Sequence, residues 1–204
     1  MSNRINIGLD LDGTLADLIG AACERYNEKI GRYIEKFIHS REITTWDAFQ
    51  NKTGFSHLVQ RQWFNDTWQD WEKIHATNLV LSGITSYLRE HANVFILSHR
   101  NPVSHEYVVK WLQKNKVTYD GLCLVEDHID KLTFPIDILI DDHPQLAAKA
   151  SDKQILLVDR PWNNSIIDAE FAPNVTRIHN LMNIQDWMKR NGHDSTMLPY
   201  PYST

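Results

Sequence analysis

The sequence predicts an α/β fold: a three-layer, Rossmann-like core around a parallel sheet, with a small helical cap inserted after the first strand. Three observations lead there. Short, continuously apolar runs alternate with amphipathic helical segments, the pattern of parallel strands buried on both faces. The first apolar run passes directly into an acidic, glycine-containing turn, a strand-to-loop signature. About 60 residues of different character, aromatic-rich and broken by polar turns, then interrupt the rhythm before it resumes.

In chain order, residues 4–9 alternate around Ile5, Ile7 and Leu9 and predict the first strand. Residues 16–30 predict a helix, with Leu18, Ile19, Ala22, Cys23, Tyr26 and Ile30 at helical spacing. Between residues 33 and 71 the clearest helix is 56–71, where Val59, Trp63, Phe64, Trp68 and Trp71 recur at steps of three to five. Ser82 predicts the N-cap of a helix reaching about residue 91. Strand 93–97, helix 103–114 with Val108, Val109, Trp111 and Leu112, and strands 121–125, 136–140 and 154–158 follow, with a short helix at 145–150. The tail from Asn191 onward, ending Leu-Pro-Tyr-Pro-Tyr-Ser-Thr, predicts coil. The division expected is a core of residues 1–18 and 78–204 and a cap of residues 19–77.

Composition narrows the classes. The 204 residues are 42% hydrophobic and 23% charged, ordinary globular usage, with a formal net charge of -5. Such a chain is a poor coat for extended nucleic acid, which rewards basic patches. A bound cation can still reverse the local sign for a small anionic substrate. Cys23 and Cys123 lie far apart with no metal-ligand spacing, so neither a disulfide framework nor a zinc site is indicated. Ten histidines are scattered without HxxxH or HExxH spacing and read mostly as surface groups. No apolar run approaches the ~20 residues that span a bilayer, and residues 1–8 hold no apolar leader. A protein of a reducing, cytoplasmic compartment is expected.

Four features fall at predicted strand ends, where ligands bind in open parallel sheets. The first is Asp10-Leu-Asp12-Gly-Thr14. Carboxylates at i and i+2 leave a strand on one side, where one can attack as a nucleophile, the other can move protons, and both offer hard oxygens to magnesium. An Asx-rich turn gives the same pattern, whereas a calcium loop of the EF-hand type would need Glu where Ala21 stands. The second is Ser98, closing an apolar strand as a phosphate ligand or as a cap before Pro102. The third is Lys131, an anion ligand or a solvated charge. The fourth is Asp141-Asp142, an adjacent acid pair that invites a cation or lies in a solvated loop.

In this order the four resemble the motifs of the haloacid dehalogenase (HAD) superfamily of phosphotransferases, over roughly residues 3–30 and 80–160. The resemblance implies a HAD core with Asp10 as nucleophile forming an aspartyl-phosphate. Asp12 would be acid and base, and Ser98 and Lys131 would hold the phosphoryl oxygens. Mg2+ would sit on the Asp10 and Asp141 side chains and the Asp12 carbonyl, with Asp142 beside them.

Within the superfamily the chain is most similar to the 5'(3')-deoxyribonucleotidases. Asp12-Gly-Thr-Leu-Ala-Asp17 resembles that family's DGxLADF, Lys131 precedes Asp141 by ten residues, and Asp159-Arg-Pro-Trp-Asn163 resembles a segment of its bacterial relatives. The departures are Ser98-His99-Arg100, where the family reads TSP, and His143, where it often reads DDR. Arg100 is expected to bring a guanidinium to the phosphate, with His99 beside it. The resemblance implies a nucleoside monophosphate substrate, a deoxyribonucleotide first. Another small phosphate or a polynucleotide 3'-phosphate end stays open, as does a non-catalytic binding module or a homodimer. Nine of the 21 aromatics lie in residues 33–71, to build a small core or to stack on a base, with Trp63 and Trp68 the stacking candidates. Trp162 could close the site from the core side.

Overall fold

A computed structural model describes residues 4–149 and 151–193. Six parallel strands form one sheet in the order β3-β2-β1-β4-β5-β6. They are β1 (Asn6–Leu9), β2 (Asn93–His99), β3 (Gly121–Val125), β4 (Ile138–Asp141), β5 (Gln154–Val158) and β6 (Val175–Ile178). Strand β1 is central, with Leu9 opposite Ile96 of β2 and Ile140 of β4. The chain builds outward first on one side of β1 and then on the other. That reversal opens a crevice at the carboxyl ends of β1, β2 and β4.

The strands read as apolar runs because successive side chains enter different cores. On one face Ile7, Leu9, Ile138, Ile140, Leu156 and Val158 pack with α5 (Leu81–His91), α6 (His105–Lys114) and α7 (Asn183–Arg190). On the other, Leu97, Leu139, Ile155 and Leu157 pack under 3-10 segments and loops around Leu146 and Ala147. The helix expected at 145–150 is such a segment, Pro144–Ala148. Gly8 has no room for a side chain, since a Cβ there would lie 2.8 Å from both Ile136 and Leu97.

Between β1 and α5 the insertion comprises α1 (Leu18–Tyr26), α2 (Arg32–Ile34), α3 (Ala48–Thr53) and α4 (His57–Gln69). Helix α1 starts two residues later than its apolar spacing suggests, because the Asp17 side chain accepts from Gly20 N at 2.9 Å and caps it. It continues through a π-helical stretch, Asn27–Gly31, into α2. Ala22, Cys23, Tyr26, Ile38, Ile43 and Phe49 form a second core, with the Phe49 and Phe64 rings 5.3 Å apart. Ser56 caps α4 as expected for a helix start at 56, but Val59 is 46% exposed, so the buried stripe begins later.

Two further expectations need correction. Ser82 lies inside α5, which opens at Leu81 with Val80 in the capping position. Helix 103–114 is a 3-10 turn, Pro102–Ser104, followed by α6, since Asn101 caps the turn. Strand β6 and helix α7 are additions to the predicted elements: β6 is a four-residue edge strand, half polar in sequence. The coil expected for the tail beyond residue 193 lies outside the described residues. No helix among the described residues is long and apolar enough to cross a membrane.

Candidate active site

Five loops converge at the carboxyl edge of the sheet. Asp10 leaves β1 with its backbone N–H donating to Ile140 O at 2.9 Å, which locks it beside the end of β4. Gly13 turns the chain back with φ +84°, and a Cβ there would collide with the Asp142 carboxylate, so only glycine fits. Arg160, after β5, donates from Nε to Gly13 O at 2.5 Å and fixes the same turn. Asn163 donates to Asp142 O and to Val158 O, both at 2.9 Å, tying the acid pair to β5.

Lys131 is the centre of this arrangement. It sits in a 3-10 segment, His128–Thr133, entered through a capping box of Asp127 and Asp130. Its Nζ donates to Asp10 Oδ1 at 2.5 Å and to Asp141 Oδ2 at 2.7 Å, with all three side chains buried. It is therefore not the solvated charge that a lone Lys suggests. Burial works against its ammonium, but Asp10 and Asp141 outweigh it and hold the pKa above the usual range.

The carboxylates are in excess. Asp10, Asp141 and Asp142 each bring an oxygen within 4.8 Å of the others. Burial and then the neighbouring Asp141 raise the Asp10 pKa well above its ordinary value, against the pull of Lys131. Burial and Asp141 likewise push Asp142 up to about 6. Three buried acids facing one ammonium form a hard-oxygen site that suits a divalent cation such as magnesium. Two of the Asp142 oxygens' contacts are internal, from Thr14 Oγ1 at 3.0 Å and Trp162 Nε1 at 2.7 Å, so part of its role is to hold the loops together.

Asp12 points elsewhere. Its Oδ1 accepts from Trp68 Nε1 at 3.0 Å. Its Oδ2 accepts from Arg100 Nε at 2.9 Å, from Arg100 Nη2, and from Ser98 Oγ at 3.4 Å. The Asp12 side chain is thus not among the clustered carboxylates; the resemblance assigns the metal its backbone carbonyl.

A cavity of about 380 Å³ opens over these groups, lined by Asp10, Asp12, His99, Arg100, Lys131, Asp141, Asp142 and Trp162. From the insertion, His57, Gln60, Arg61, Phe64 and Asn65 line it at steps of one, three and four, which is one face of α4. Trp63 and Trp68, the stacking candidates, do not line it. Trp63 faces the insertion's core and donates to Ala22 O at 3.2 Å. Trp68 is fully buried against Trp111, ring centres 6.2 Å apart. Ser98 is buried at the end of β2, beside Asp12 rather than on the cavity wall. The rings exposed to the cavity are instead Phe64, Trp46 and Trp162.

Three of the scattered histidines assemble here. Trp46 packs on His143 at 4.1 Å, His143 stacks on His128 at 3.8 Å and 14°, and His99 follows at 6.1 Å. Burial and His128 hold His143 neutral, its pKa lowered to about 3. Burial, Lys131 and His128 lower His99 as well. Nothing in the local spacing of these histidines announces the row, because β2, the segment after β3 and the loop after β4 contribute one each. The polar face of α4 does have a signal, the 57-60-61-64-65 spacing, which apolar periodicity overlooks.

Residues 3–188 match the sequence profile of a family described as 5' nucleotidase, deoxy (pyrimidine), cytosolic type C protein (NT5C). A Chlorobaculum tepidum protein provisionally assigned as a 5'(3')-deoxyribonucleotidase is 24% identical over 166 residues, covering 76% of this chain and 78% of its own. The fold is similar to that of a haloacid dehalogenase-like hydrolase of Streptococcus pneumoniae, with TM-score 0.64, 13% identity, and coverage of 92% of this chain and 100% of that one. It is also similar to L-2-haloacid dehalogenase of Xanthobacter autotrophicus, with TM-score 0.57, 13% identity, and coverage of 91% and 98%.

Proposed function

Because this chain belongs to the 5' nucleotidase, deoxy (pyrimidine), cytosolic type C family and is a hydrolase of phosphoric monoesters, we propose that it dephosphorylates nucleoside monophosphates, deoxyribonucleotides first, through an aspartyl-phosphate on Asp10. The observation that carries this is the buried Asp10–Lys131–Asp141 contact with a second carboxylate, Asp12, two residues on.

In the first step an Asp10 oxygen attacks phosphorus, the ester P–O bond breaks, and Asp12 gives a proton to the departing nucleoside oxygen. In the second, Asp12 takes a proton from water as the water oxygen attacks phosphorus, and the Asp10–phosphorus bond breaks to release phosphate. Lys131 neutralises charge between the anionic nucleophile and the anionic ester, while Ser98 Oγ, buried behind the cavity wall, donates to the Asp12 carboxylate. Asp10 and Asp141 side chains with the Asp12 carbonyl would hold Mg2+, whose charge lowers the same repulsion. Asp142 keeps Thr14 and Trp162 in register with that set.

The nucleoside half occupies the remainder of the cavity, where Phe64 and Trp46 offer ring faces and Gln60 and Asn65 offer amides. Residues 19–77 serve as the cap over a core of residues 1–18 and 78–204, and the working compartment is the reducing cytoplasm, in keeping with two free thiols. The test is phosphate release from deoxy- and ribonucleotides, sugar phosphates, an aryl phosphate and a 3'-phosphorylated oligonucleotide, for wild type and Asp10→Asn. A deoxyribonucleoside monophosphate turned over fastest, and abolished turnover in the variant, are expected. Sugar phosphate or oligonucleotide preference would overturn the substrate assignment, and activity retained in Asp10→Asn the mechanism.

A further inference from the structure

Arg100 stands where the family's strand-end motif has proline, and as a departure from that motif it is expected to bring its guanidinium to the substrate phosphate. The geometry points to another role, and we infer that Arg100, with Trp68, is a positioning residue that fixes the Asp12 carboxylate. The inference rests on the proposed role of Asp12 in proton transfer to the leaving group.

Arg100 is held from several sides. Its backbone N–H donates to Val125 O at 3.1 Å, which anchors the strand end against β3. Its guanidinium lies 5.0 Å over the Trp68 ring, and its side chain is 3% exposed. From there Nε and Nη2 both donate to a single oxygen, Asp12 Oδ2, while Trp68 Nε1 donates to Oδ1. Trp68 is itself immobilised by edge contact with Trp111, whose Nε1 donates to Ile74 O at 2.8 Å. The result is a braced stack, Trp111–Trp68–Arg100, ending on the carboxylate.

A carboxylate on a short turn has free χ1 and χ2 torsions, and opposed donors on both oxygens remove that freedom. Reactive groups lose rate steeply when displaced by about 1 Å, so such bracing bears on catalysis without contact to substrate. The phosphoryl group does not need Arg100, because Lys131 already supplies a buried cation between Asp10 and Asp141. The arrangement also ties the acid to α4, so the insertion contributes a donor to the catalytic loop as well as a cavity wall.

A leaving-group series tests this. kcat/KM reports the step that forms the aspartyl-phosphate, for esters running from p-nitrophenyl phosphate to a deoxyribonucleoside monophosphate. A group acting through Asp12 matters for a poor leaving group and little for p-nitrophenolate, which departs without a proton. Arg100→Met is expected to lower kcat/KM about 30-fold or more for the nucleotide, within the general-acid range, and about threefold or less for the aryl ester. Trp68→Phe, which keeps the ring and loses the N–H, should show the same steepened slope at smaller size. In an Asp12→Asn background Arg100→Met should add less than a factor of about two.

Equal losses across the series, or a KM rise common to all esters with unchanged slope, would overturn the inference, the latter marking Arg100 as a phosphate ligand. Should Arg100→Met fail to fold, Arg100→Lys and Trp68→Phe decide, and an unchanged slope in both overturns it. An Asp12→Asn protein with wild-type slope would overturn the underlying role of Asp12 together with this inference; a changed slope there and none in the Arg100 and Trp68 variants overturns the inference alone.

Discussion

Replacing Lys131 with methionine isolates the charge balance at the heart of the site. Nζ lies 2.5 Å from Asp10 Oδ1 and 2.7 Å from Asp141 Oδ2, with side-chain exposures of 3%, 6% and 0%. At an effective dielectric near 20 each contact carries roughly 6 kcal/mol of gross attraction, most of it offset by desolvation. Removing the one cation leaves buried carboxylates without compensation, and losses of about 3–5 kcal/mol follow from breaking a buried pair in this way.

The loss depends on pH with a definite sign. The Asp10 pKa is already raised by burial and Asp141, and without Lys131 it rises further. A carboxyl whose folded pKa exceeds its unfolded one destabilises the fold above the folded value and ceases to do so as pH falls toward the unfolded value. The deficit of Lys131→Met should therefore be largest near pH 8 and shrink toward pH 5. Magnesium at about 100 times its dissociation constant should return roughly 2.7 kcal/mol at pH 8. Urea unfolding followed by tryptophan fluorescence, at pH 8 and 5 with EDTA or magnesium, measures all of this. A variant as stable as wild type at pH 8, a deficit indifferent to pH, or a variant whose own stability magnesium leaves unchanged would refute the reasoning.

His143 makes a second prediction. With its pKa lowered to about 3 by burial and His128, its stabilisation is full above the unfolded value near 6.5 and is lost as pH falls below it. Between pH 6.5 and 5 that amounts to about 2 kcal/mol. Asp142, raised to about 6, works in the opposite direction but equally in both proteins, so wild type minus His143→Gln in urea midpoint isolates the histidine. A flat difference curve would contradict it. For the insertion's rings, Phe64→Ala should raise nucleotide KM about tenfold with little change for an aryl phosphate, since Phe64 lines the cavity. Trp63→Ala should instead cost roughly 2–3 kcal/mol of stability at unchanged KM, because its half-buried ring packs against the insertion's core. The reverse pattern would restore Trp63 as the stacking residue.

These expectations show where sequence stops being informative. Strands β3 and β5 have the predicted bounds because each is a short continuous apolar run, so hydrophobicity alone marks their ends, although β3 at the sheet edge is only half-buried while β5 is buried. The acids Asp10, Asp141 and Asp142 converge because strand order brings β1 and β4 side by side, and their motifs carry that order. Lys131 is identifiable through its place in the motif sequence alone, since a single Lys has no periodicity to betray burial. The base-side wall is not legible. Trp68 and Trp63 stand out by size, yet these large rings build a core and brace Asp12, while Trp46, His128 and His143 meet only in three dimensions. Arg100 is visible as a departure, but its partner is a carboxylate 88 positions away, beyond any local pattern.

The most direct test is to trap the covalent enzyme. Wild-type protein turning over a deoxyribonucleoside monophosphate with magnesium is quenched with borohydride, which reduces an aspartyl-phosphate to homoserine, and peptides are read by mass spectrometry. Nucleotide-dependent homoserine at position 10, and at no other acid, is the result predicted. Phosphate release without modification at position 10, or reduction at Asp12, Asp141 or Asp142 instead, would contradict the account.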